Sequence, residues 1–91
     1  MVIWKFSLVV TDRQTVTMPV GAEVLSVQMQ GNVLCLWAVV NPDAERIIRT
    51  FEIFGTGHPM PDVLKEGLAR LHIDTVQARG GSLVWHVFEL L

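Results

Sequence analysis

Glu23 to Val40, EVLSVQMQGNVLCLWAVV, is the stretch that decides the fold. Two apolar runs flank Gly31-Asn32, residues that reach positive φ at low cost and suit a two-residue hairpin turn. In the first arm Leu25, Val27 and Met29 alternate with Ser26, Gln28 and Gln30, the period of a half-buried strand. The second arm is apolar on both sides: Leu34, Leu36, Ala38 and Val40 on one, Val33, Cys35, Trp37 and Val39 on the other. A strand of that kind is covered on both faces, by its own domain or by another copy of the chain.

Outward from this hairpin the alternation predicts further strands at 2–10, 14–18, 48–54, 73–78 and 83–90. Pro19 stops the second strand, Asn41-Pro42-Asp43 ends the hairpin, and Gly80-Gly81 makes a second tight turn. Pro61 and Asp62 suit a helix start, and Val63, Leu64, Leu68 and Leu71 recur at helical spacing. One short helix is therefore expected near 62–70, although Gly67 weakens it by about 1 kcal/mol. About seven strands on short turns describe a mainly β chain, either a compact antiparallel β-sandwich or a partly open barrel.

Ninety-one residues make a single domain, 1–91, near the lower limit for one unaided hydrophobic core. The chain is 51% hydrophobic and only 18% charged, against roughly 25% charged in an average domain. That surplus of apolar surface points to a homo-oligomer. No run approaches the roughly 18 apolar residues of a membrane helix, and MVIWKFSLVV lacks the marks of a signal peptide. The net charge of -2, with Glu45 and Glu52 flanking Arg46 and Arg49, leaves no basic stripe for a DNA or RNA duplex. Cys35 is the only cysteine, so no intrachain disulfide forms, and a cytoplasmic protein is expected.

The most functional-looking segment is Gly55-Thr56-Gly57-His58-Pro59. Its glycines let backbone approach a ligand, Thr56 offers a hydroxyl, and His58 can meet a phosphate. It lacks the Lys and Ser/Thr of a Walker A loop, so a rigid strand-to-helix connection is the competing reading. Arg49 shares a strand face with Phe51 and Ile53. It reaches the rim of the core, pairs with an acid across the sheet, or supplies a guanidinium to an anionic, planar ligand. Trp4, Trp37 and Trp85 are core or interface anchors at strand spacing, or stacking platforms. The expected ligand set is Arg49, Gly55, Thr56, Gly57 and His58, with Trp4 or Trp37 over a base. No metal site or cofactor is expected, since His58, His72 and His86 do not follow a local metal spacing. No serine or threonine sits in a nucleophile elbow and Cys35 is mid-strand, so no enzyme is expected.

Several stretches together carry a resemblance: IWKF at 3–6, VTDRQTVTMPVGAEVLSVQ at 10–28, LCLWAVV at 34–40, RTFEIFGTGHP at 49–59 and GGSLVWHVFE at 80–89. The chain resembles a group of small proteins of unassigned function in tailed-phage and prophage genomes. Residues 63–71 depart from that pattern, being longer and more helical. The resemblance implies a phage accessory protein in the host cytoplasm that counters host antiviral immunity. It would do so by sequestering a nucleotide second messenger, a cyclic nucleotide or ADP-ribose-type signal, inside an oligomer. The alternatives are direct binding of a host defence protein, or a structural or assembly role in the virion.

Overall fold

The computed structural model describes residues 1–91 as seven strands in two antiparallel sheets. In chain order these are β1 (Val2–Leu8), β2 (Arg13–Pro19), β3 (Glu23–Gln30), β4 (Val33–Val40), β5 (Arg46–Gly55), β6 (Arg70–Ala78) and β7 (Leu83–Leu90). The smaller sheet has the order β1-β4-β3 and the larger β2-β5-β7-β6. The sheets face one another as an open sandwich, with no ladder between them to close a barrel.

The hairpin 23–40 forms as its sequence requires, with Gly31 at φ 59 in the turn. Leu34, Leu36, Ala38 and Val40 point into the sandwich and are buried, meeting Phe51, Ile53, Val76 and Val87 from the larger sheet. The opposite side of β4 is only partly covered: Cys35 is buried, Trp37 and Val39 are half-buried, and Val33 is exposed. A side-chain bridge crosses β4 on this side. Lys5 Nζ on β1 donates to Gln30 Oε1 on β3 at 2.6 Å, and its aliphatic stem crosses the strand there.

The helix expected near 62–70 is not formed. A single 3₁₀ turn, Leu64–Glu66, stands in its place, and Leu71 belongs to β6. The physical reason is that the apolar repeat has no surface to cover. Val63 alone is buried, Leu64 is 75% exposed, and Gly67 turns left-handed at φ 74. Three residues of 3₁₀ helix are all that Pro59, Pro61 and Gly67 leave room for. No helix of the chain is long and apolar enough to cross a membrane.

Candidate functional site

One end of the sandwich collects four connections: residues 9–12, the Gly31-Asn32 turn, the start of the 56–69 loop, and the 79–82 turn. Between them lies a cavity of about 380 Å³, walled by Val10, Met29, Asn32, Arg79, Leu83 and Trp85. Its geometry follows from two local features. The first is Gly55 at the end of β5, whose partner across the ladder is Trp85. A Cβ on Gly55 would stand 3.3 Å from Cζ3 of the indole, so glycine is what lets the Trp85 ring lie flat against the backbone. The second is Arg79, which adopts φ 50 directly before Gly80 and Gly81 at φ 66 and 94. A positive φ is uncommon for a side chain of this size. The turn therefore begins one residue earlier than Gly80-Gly81 alone suggests, and it aims the arginine at the cavity. The Arg79 guanidinium makes no ion pair within the chain.

The Gly55 to His58 loop sits at this same end but turns away from the cavity. Gly57 takes φ 84, and the His58 N–H closes a turn on the Gly55 carbonyl at 3.0 Å. Thr56 Oγ1 contacts His86 Nε2 at 2.8 Å, and His86 Nδ1 lies 3.2 Å from Thr75 Oγ1. That hydroxyl also meets His72 Nε2 at 2.9 Å. His58 stacks on Phe54 with ring centres 6.1 Å apart, and its Nε2 lies 3.4 Å from Asp12 Oδ1. The loop is thus stitched onto the outer face of the larger sheet. His72 and His86 are joined there through the Thr75 hydroxyl, and no three His, Cys, Asp or Glu side chains converge at metal-ligand distance.

Arg49 does not join the loop. It lies six residues back along β5, roughly 20 Å at strand rise, and points inward. Its Nε and Nη2 donate to the two oxygens of Glu89 at 2.6 and 2.7 Å, and Nη1 donates to the Ala22 carbonyl at 2.6 Å. The hydrogen bonds to Glu89 raise its pKa above the ordinary guanidinium value, against the opposing effect of burial. Pairing with an acid across the sheet is therefore the reading that the geometry gives. Trp4 packs against the core beneath Arg46, whose guanidinium carbon lies 5.3 Å above the ring. Trp37 stands on the outer side of β4. None of the expected set lines the cavity: Gly55, Thr56, Gly57 and His58 sit at the same end of the sandwich, while Arg49, Trp4 and Trp37 lie away from it.

Two buried carboxylates escaped the sequence reading. Glu89 is 6% exposed and Glu52 only 2%. Glu52 accepts from Arg13 at 3.1 Å and Arg70 at 2.6 Å on the outer face of the larger sheet. Arg70 also lies 5.2 Å from the Phe54 ring centre, and its Nη2 is buried without a hydrogen-bond partner. Arg79 was missed as well. Its signal was an arginine placed where a hairpin turn calls for glycine or asparagine.

A family model described as "Domain of unknown function (DUF7352)" matches residues 1–91, the whole chain. No curated protein and no solved structure matches it. The chain belongs to that domain family.

Proposed function

From within that family, we propose that this chain is a non-enzymatic module that holds a small anionic, planar ligand of nucleotide type at the turn end of its sandwich. The observation that carries the reading is the cavity of about 380 Å³ lined by Trp85 and by Arg79, which makes no ion pair within the chain. Small-molecule sites span roughly 300–1,000 Å³, so one nucleotide unit fits and a larger signal would need groups from a second copy. Arg79 supplies a fork for phosphate, Trp85 a surface for a base, and Asn32 and Gln77 amide donors and acceptors. In the phage setting suggested by the sequence resemblance, such a module sequesters a second messenger in the host cytoplasm and blunts host antiviral immunity.

Calorimetry against cyclic di- and trinucleotides and ADP-ribose derivatives tests this. Binding should weaken at least tenfold in Arg79→Ala and measurably in Trp85→Phe. Absence of binding to every compound, or affinities unchanged in both variants, would overturn it. A second reading, docking to a host defence protein or into a virion, is favoured by the half-exposed apolar side of β4 at Val33, Trp37 and Val39. Copurification of a host protein, or presence in purified particles, would select it.

A further inference from the structure

The sandwich has two flanks where strand edges meet solvent, and they are built differently. On one flank β3 and β6 lie side by side, and both edges are interrupted. β3 carries an irregularity between Val24 and Ser26, and β6 another between His72 and Asp74. The Asp74 carboxylate released by that irregularity accepts from the Val27 N–H at 3.0 Å, so it occupies a backbone donor of β3. Bulges and edge carboxylates are the devices that keep strand edges from pairing with other chains.

On the opposite flank the edges belong to β1 and β2. β1 runs unbroken from Val2 to Leu8 with no proline, glycine or bulge. Its one charge, Lys5, is drawn across the sheet to Gln30 and does not guard the edge. The ladder is capped only beyond Leu8, where the Gln14 amide bonds both the N–H and the carbonyl of Val9, at 3.0 and 2.6 Å. Beside this edge Ile3 is 61% exposed, Met1 and Val2 are exposed, and the inward-facing Trp4 and Phe6 are only half-buried. β2 continues the flank with Thr15 and Thr17 outward and Pro19 at its end.

We propose that the β1 edge pairs antiparallel with β1 of a second copy across a two-fold axis, making one continuous six-stranded sheet from two three-stranded ones. The occupant is a second copy because the flank is self-complementary. A two-fold centred on Trp4 sets Lys5 opposite Ile3 and separates the two lysines, whereas one centred on Lys5 opposes like charges. The Trp4-centred register also closes the half-open aromatic flank against its own image. The edge is about 23 Å long at strand rise. With the neighbouring β2 edge the footprint is on the order of 500 Å² per partner, near the roughly 1,000 Å² total at which specific interfaces begin. The resulting dimer is reversible, and it is independent of any ligand at the turn end.

Sedimentation equilibrium of the full chain from 1 to roughly 500 µM, a span set to cover weak interfaces, is the test. The wild type should dimerise. Ile3→Lys, which places a charge on an exposed edge position, should weaken association at least tenfold with the circular dichroism spectrum unchanged. Leu25→Lys, on the guarded flank, should leave it intact. A wild type that stays at 10.2 kDa throughout, an Ile3→Lys protein that dimerises as well as wild type, or dissociation by Leu25→Lys instead would each overturn the proposal. Should Ile3→Lys perturb the fold, hydrogen exchange on the wild type decides: amides of Val2–Leu8 must gain protection with concentration, and a dimer without that gain excludes the β1 edge.

Discussion

Arg49 and Arg79 mark opposite halves of the molecule, and the contrast between them separates a structural charge from an available one. Arg49 is inside, and Glu89 and the Ala22 carbonyl engage all three of its guanidinium nitrogens. Arg79 is outside, held at φ 50 by two following glycines, with no acid to answer it. In a sequence both are arginines near aromatic residues. The difference is whether the fold has already spent the guanidinium. A buried ion pair says little about ligands, whereas a charge left free at a positive-φ position beside a cavity is the one on which the proposed site rests.

The sharpest way to break this contrast is to remove Glu89. Glu89→Ala leaves Arg49 buried and unpaired, and urea denaturation should show a loss of about 3–5 kcal/mol. A loss below 1 kcal/mol would mean that the pair is not the brace described. The raised pKa of Arg49 sets the sign with pH. The pairing contributes fully below the ordinary guanidinium value and is lost only as pH rises through the higher folded value, so an alkaline melt series to pH 10 should leave this term intact.

At the other end the expected effects are smaller. Gly55→Ala pushes a methyl to 3.3 Å from the indole of Trp85. The ring can yield into the cavity, so the cost should be about 1–2 kcal/mol, with a shift in tryptophan emission and weaker ligand binding. An unchanged emission spectrum would show that Trp85 is not seated on Gly55. The smallest effect has the opposite sign. Arg79→Gly relieves the left-handed backbone and should stabilise the protein by no more than about 1 kcal/mol, after the entropy cost of glycine. The same substitution should abolish nucleotide binding. A protein that gains stability while keeping its ligand would remove Arg79 from the site.

Much of the architecture was legible because period-two alternation and hairpin turns are local signals. The hairpin 23–40 and the strand 83–90 could be read directly from their residues. The helix at 62–70 could not, because helical spacing of Val63, Leu64, Leu68 and Leu71 carries meaning only when a surface exists for them to cover. The cavity was also beyond reach. Asn32, Arg79 and Trp85 come from two hairpins in different sheets, and only the sandwich registers bring them together. The packing of Gly55 on the Trp85 indole was likewise beyond a local reading, because it depends on the β5–β7 register.

The order in which strands are shared between the sheets has a consequence for how the molecule comes apart. β2 and β5 pair in one sheet, with Arg13 opposite Glu52, while the hairpin between them belongs to the other. β1 in turn reaches over β2 and β3 to pair with β4, placing Val2 opposite Val40. Neither sheet is a contiguous stretch of chain, so neither can detach as a cooperative subunit while its neighbour survives. Each long-range pairing must close a wide loop before it is rewarded, which belongs to the millisecond-to-second regime of β-sandwich folding. The plate therefore assembles slowly and dissolves in a single step, with Trp37 in one sheet and Trp85 in the other losing their environments together.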